Sequence, residues 1–152
     1  MGVLETYFHY RNSGIALVEH ASSSPDKLRA LGADTADAAE LARLHHIYFG
    51  PTRFTGKQRK ARTAAQHHAH GLSILNLIEY YTSRVKKELD AWNLRARLAA
   101  TPAHKIRDVA VKRLKELKEK REHKPGVRFT YRTQGPNSVT ITDTPTVIAD
   151  IR

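Results

Sequence analysis

The segment SILNLIEYYTSRVKKELDAWNLRARLAA, residues 73–100, carries the strongest periodic signal in the chain. Ile74, Ile78, Tyr81, Val85, Leu89 (or its neighbour Glu88), Trp92, Ala96 and Ala99 recur at steps of three and four. That spacing puts them on one face of a helix with 3.6 residues per turn. Thr101-Pro102 then supplies a cap and a first helical turn. A second helix is expected from there to about Glu122, striped by Ile106, Val109, Ala110, Leu114 and Leu117. Two long helices joined by so few residues run antiparallel. The spacing therefore predicts a helical hairpin with Tyr81 and Trp92 in its seam.

Working toward the N-terminus, Gly71 breaks the pattern and Ser73 is a plausible cap. Thr55-Gly56-Lys57-Gln58 has capping-box spacing and opens a helix to about His68. Ala61, Ala64 and Ala65 on that helix are small enough for close helix contact. Gly50-Pro51 stops the preceding helix, Thr35 to Phe49, whose inward residues are Ala38, Leu41, Ala42 and Leu44. Ser24 caps a short helix with Pro25 at its first position, ended by Gly32. Leu4, Phe8, Ile15 and Val18 share one face of an N-terminal helix that Gly14 weakens.

Toward the C-terminus the period changes at Lys124-Pro125-Gly126. Val127, Phe129 and Tyr131, then Val139 and Ile141, alternate with polar residues around Gln134-Gly135-Pro136-Asn137. This pattern predicts a β-hairpin with one apolar face. Thr144-Pro145 looks like the start of a further helix carrying Val147, Ile148 and Ile151, and the abrupt close TPTVIADIR reads as a fragment of a longer protein. The expected fold is mainly α, a helical bundle with a long antiparallel helical hairpin plus a C-terminal β-hairpin. One domain spans 1–152, with N-terminal helices at 1–50, basic helices and the helical hairpin at 55–122, and the β-hairpin at 127–142.

Charge is distributed unevenly. Up to Gly50, four basic residues face six acids, whereas Pro51 to His123 holds 18 Lys/Arg against 7 Asp/Glu. A basic half joined to a mildly acidic one points to a polyanion partner, nucleic acid first. The plainer alternative is a helical protein with a lysine-rich surface. There is no cysteine, which excludes disulfides, cysteine-ligated metal and thiol catalysis, and is compatible with a reducing cytoplasm. No run of about 18 apolar residues is present, so no membrane span is expected. MGVLETYFHYRNS, with Glu5 and no cationic leader, does not read as a signal peptide. The expected location is cytoplasmic.

Candidate phosphate contacts are Lys57, Arg59, Lys60, Arg62, Arg84, Lys86 and Lys87, all sequence-independent and salt-sensitive. On the helix opened by Thr55, Lys57 pairs with Lys60 and Arg59 with Arg62. Arg59 and Arg62 are favoured, because guanidinium grips phosphate with two donors. The cations of 112–121 mix with Glu116, Glu119 and Glu122 and read as a solvated face. Glu79 has Arg84 nearby, and Asp90 has Lys86 four residues before it.

His67, His68 and His70 cluster, with His45-His46 as a second pair. His67 and His70 suit a divalent metal only if a third ligand joins them, and no carboxylate lies within five residues. No metal site is assigned, and no catalytic residue. The stretch AAQHHAHGLSILNLIEYY matches a helix-turn-helix only in part: Leu72, Leu77 and Tyr80 fit, and the first helix does not.

Three segments, YFGPTRFTGKQRKARTAA, GLSILNLIEYYTSRVKKELDAWNLRARLAATP and PGVRFTYRTQGPNSVTITDTPTVIADI, together resemble the N-terminal region of actinobacterial HNH-endonuclease domain proteins. The resemblance spans about Tyr48 to Ile151 and is most specific at Gln58–Arg62, Ala91–Arg97 and around Gly135-Pro136. It implies a helical, non-catalytic module beside a later nuclease domain. The nuclease core it implies is a ββα element with a metal-binding His, an Asn and a general-base His. Here residues 128–142 contain no histidine, and Asn137 sits in the turn. No HNH residue carries over. A divalent metal would belong to the nuclease domain, and this chain needs no cofactor. The implied partner is DNA, bound weakly and without sequence preference. Rival readings are a homodimerisation module and a free-standing DNA-binding regulator.

Overall fold

A computed structural model of the chain describes residues 2–122, with side chains described through Lys120. The expected β-hairpin at 127–142 and the helix after Pro145 lie outside the described residues. Within them the regular structure is helical: α1 (Val3–Asn12), α2 (Ile15–Glu19), α3 (Pro25–Ala30), α4 (Thr35–Phe49), α5 (Thr55–His67), α6 (Leu72–Thr82), α7 (Glu88–Ala99), a 3-10 turn (Ala103–Lys105) and α8 (Ile106–Glu122). Two compact units divide at Leu114 and Lys115. The first holds the core. The described part of the second is the end of α8, where Lys115, Lys118 and Lys120 alternate with Glu116 and Glu119.

The starts of α3 and α4 follow local chemistry, whereas Gly71 and not the expected Ser73 is the cap of α6. Ser24 Oγ accepts from the Lys27 amide at 3.4 Å, with Pro25 at the first position of α3. Asp34 Oδ1 accepts from the Asp37 amide at 2.8 Å and caps α4. These side-chain acceptors satisfy amides that a helix start leaves without partners. α4 stops before Gly50-Pro51, and Ala38, Ala42 and Leu44 are buried as its pattern indicated.

The stretch 73–100 is corrected. It is two helices, interrupted at 83–87, not one. Ser83, Arg84, Val85, Lys86 and Lys87 leave the helix just where three cations and a β-branched residue follow one another. Arg84 and Lys87, three apart, would share a helix face and repel. The antiparallel pair is accordingly α6 with α7, and not, as expected, the 73–100 helix with the helix that follows Pro102. His70, just ahead of α6, meets Ala99 at the end of α7, and Glu79 meets Arg95, so the partners run in opposite senses. Tyr81 and Trp92 are buried in the core, as their stripe required, without the expected hairpin seam. Ile106 and Ala110 of α8 enter the same core.

The N-terminal stripe also divides. Ile15 and Val18 are buried, whereas Leu4 and Phe8 are exposed on α1, which buries no residue. Gly14 ends the continuity with φ +58°, and its Cα lies against the backbone of the α5–α6 turn. α5 packs mainly on α7 and also touches α4 and α2. Ala61 and Ala65 on α5, and Ala96 and Ala99 on α7, are all buried, which is what a close helix approach requires. In a helix-turn-helix, α5 would lean on α6. Its principal partner is instead α7.

Candidate nucleic-acid interface

α5 carries four cations and no acid. Its inward stripe is Gln58, Ala61, Arg62 and Ala65, spaced by three and four. Gln58 does not close a capping box with Thr55. Its Nε2 donates to the carbonyls of Ile47 and Gly50, both at 2.9 Å. Arg62 Nη1 donates to the Tyr48 carbonyl at 2.7 Å, and the guanidinium lies 4.9 Å from the Phe49 ring centroid. Two α5 side chains thus satisfy the carbonyls that the end of α4 leaves open. A cation there also suits the negative end of the α4 dipole.

This splits the expected Arg59–Arg62 pair. Arg62 is half-buried and committed to α4, so it is not free for phosphate. Arg59 and Lys60 are exposed, and neither has an ion-pair partner among the described residues. Lys57 is half-buried. Arg59 and Lys60 line an open groove of about 500 Å³ together with Gly56, Thr63, Ala64, His67, His68 and Ala100. Thr63 and Ala64 are short, so the groove floor between its cationic and histidine ends is low.

The other predicted cations lie elsewhere. Arg84, Lys86 and Lys87 are exposed on the 83–87 loop, not on a helix, and do not line the groove. Arg84 donates to the Tyr80 hydroxyl and covers that ring at 4.6 Å. With Lys86 outside the helix, its expected pairing with Asp90 loses its basis. Glu88 pairs instead with Arg53 at 3.1 Å, in an exposed contact of small energetic weight.

Of the histidine cluster, His70 is buried. Its Nε2 meets the Ala99 carbonyl at 3.1 Å, and its ring stacks on His68 with centroids 5.5 Å apart. Burial lowers the His70 pKa. The bond to the Ala99 carbonyl opposes this, and the His68 charge adds to it. A depressed imidazole contributes stability that is fully present above the ordinary value of about 6.5 and is lost as pH falls from there through the lowered folded value. Denaturant midpoints measured from pH 8 to pH 5 should therefore fall in the native chain and fall less in His70→Gln. Identical pH profiles would remove His70 as a source. Among the described residues no three His, Asp or Glu side chains gather to hold a metal, so none is assigned to the metal that the nuclease resemblance implies.

Sequence reasoning missed the most buried charged group among the described residues. Glu79 is 2% exposed. Its partner is Arg95, not Arg84: Arg95 Nε donates to Oε2 at 2.7 Å and Nη2 to Oε1 at 2.8 Å. Tyr48 donates to Oε2 and Thr82 to Oε1, both at 3.1 Å, and the Arg95 guanidinium sits 4.3 Å from the Trp92 ring centroid. Burial, then the Glu79 charge, raises the Tyr48 phenol well above its ordinary range, so it stays a donor. Burial works against the Arg95 charge, and the Glu79 contacts more than offset that, leaving its pKa raised. Every partner is a donor already engaged with a carboxylate, an arrangement that ties α4, α6 and α7 together. The available signal was Glu79 standing beside Ile78 and Thr82 on a stripe that otherwise faces inward.

The chain matches no family model, no curated protein and no solved structure. Among the described residues no helix is long and apolar enough to cross a membrane.

Proposed function

We propose that this chain binds the DNA backbone through the outward face of α5, as a non-catalytic module assisting an HNH-type nuclease domain. The observation that carries the binding part is the α5 face itself. It holds Arg59 and Lys60, exposed and unpaired among the described residues, on a helix without a single acid and beside an open groove. Structural cations are tied to partners, as Arg62 is. Cations left facing a groove fit phosphate, whose contacts need no base readout. Lys57, Lys86 and Lys87 add to the field without lining the groove. The nuclease association rests on the sequence resemblance, and the divalent metal of that chemistry would belong to the nuclease domain.

Affinity for a duplex of arbitrary sequence should fall steeply as salt rises. In Arg59→Ala/Lys60→Ala the log–log salt slope should drop by about 0.9 for each phosphate no longer neutralised. An unchanged slope in that variant removes the α5 face from the interface and favours the interaction-module reading. That second reading has its own support: α1 exposes Val3, Leu4, Tyr7, Phe8 and Tyr10 and buries nothing, a surface suited to a homodimer contact.

A further inference from the structure

The groove does not end at Arg59 and Lys60. It continues along α5 to the exposed His67 and to His68, which is half-buried at the end of α5 and stacks on the buried His70. Lys60 and His67 are separated by about 10.5 Å along the helix axis and about 20° around it. They therefore stand on one line. At about 3.4 Å per nucleotide along a strand, that distance covers roughly three nucleotides. Thr63 and Ala64 between them leave room for a backbone to lie flat.

Resting on the phosphate reading above, we propose that the groove is a two-ended phosphodiester site. Arg59 and Lys60 hold one phosphate at any pH, and His67 and His68 hold a second only as imidazolium. Histidine is the side chain whose ordinary charge change falls between pH 5 and 8. A neutral imidazole offers phosphate at most one N–H, whereas the cation donates from both nitrogens and displaces counterions. Among the described residues the charged and titratable groups facing this end are few. His67 and His68 meet edge to face with centroids 5.2 Å apart, and His70 stacks on His68. Arg59 and Lys60 complete the set on α5. Of the described elements that pack against α5, namely α2, α4 and α7, none lines the groove; the uncharged Ala100, which follows α7, does. Among the described residues no carboxylate lines the groove to neutralise an imidazolium, so a phosphate is the natural counter-charge.

The test uses the full chain and a duplex oligonucleotide, with affinities measured across 50–200 mM salt at pH 7.5 and at pH 5.5. If the far-UV spectrum at pH 5.5 differs from that at pH 7.5, the lowest pH preserving it is used, because protonation of His70 acts on the fold. In the native chain the log–log slope should steepen at the lower pH by about 0.9 per histidine. For both together that is about a twelve-fold extra loss of affinity over a four-fold rise in salt. His67→Gln/His68→Gln should keep the pH 7.5 slope at both pH values. A native slope that ignores pH, or a glutamine variant that still steepens, overturns the histidine end while leaving the Arg59–Lys60 reading intact. Failure of that reading has a separate signature, a pH 7.5 slope indifferent to loss of Arg59 and Lys60.

Discussion

Replacing Glu79 by Ala should destabilise the chain by about 3–5 kcal/mol, because it leaves a largely buried guanidinium without its counter-charge. Arg95 has 11% of its side chain exposed and spends two donors on Glu79, so water cannot replace the lost acceptor. The hydroxyls of Tyr48 and Thr82 lose their acceptor in the same step, and each buried unsatisfied group adds a penalty of about 1–3 kcal/mol that does not sum simply with the rest. Arg95→Ala should cost a similar amount from the other side. Removing both partners together, as Glu79→Leu/Arg95→Met, should recover much of the loss, since burying an ion pair desolvates two charges at once. Urea unfolding of the four proteins checks this. Single variants within about 0.5 kcal/mol of the native chain would show that the pair does not hold α6 to α7.

Gly14→Ala should be of comparable severity, for a different reason. Gly14 has φ +58° and ψ −113°, a backbone state that side-chain-bearing residues avoid. A Cβ built there would stand 1.9 Å from the His70 carbonyl oxygen and 3.0 Å from its carbonyl carbon. Both are backbone atoms and cannot swing aside. The strain alone is worth about 1–3 kcal/mol, and the clash must further part the α1–α2 corner from the α5–α6 turn. A destabilisation on the order of 4 kcal/mol, or failure to accumulate folded protein, is expected. A thermal midpoint equal to that of the native chain would contradict the close crossing. Gly32→Ala is the control: its φ is +109° and nothing lies within 4 Å of the added carbon, so only backbone strain remains.

Features encoded within a few residues were legible in the sequence. The Ser24 cap with Pro25, the Gly50-Pro51 stop and the burial of Ala38, Ala42 and Leu44 all depend on neighbours within one or two turns. So did the burial of Trp92 and Tyr81, because a stripe marks its own face wherever the helix ends. The break at 83–87 escaped because Val85 and Leu89 continue the spacing in the sequence across it; in the structure neither Leu89 nor Glu88 faces inward, both being exposed at the start of α7. Leu4 and Phe8 obeyed the period of Ile15 and Val18, and Gly14 then turned α1 so that the first pair faces outward.

The candidate site was legible at the level of the element and not of the side chain. An acid-free basic helix stood out from α5 alone. Which of its cations are free depends on the open carbonyls of Ile47, Tyr48 and Gly50, contributed by a different helix. Guanidinium chemistry favoured Arg59 with Arg62, and the end of α4 claimed Arg62 for the same reason that phosphate would. Glu79 and Arg95 are sixteen residues apart, beyond any spacing rule for a single helix.

Whether α5 is the DNA-binding face can be decided by titrating isotope-labelled protein with a short duplex at low salt and following backbone amide resonances. The largest shifts are expected at Gly56, Arg59, Lys60, Thr63, His67 and His68, fading as salt is raised, with α8 little affected. Shifts centred on Lys112 to Lys120, or on the exposed face of α1, with α5 unchanged, would contradict that assignment.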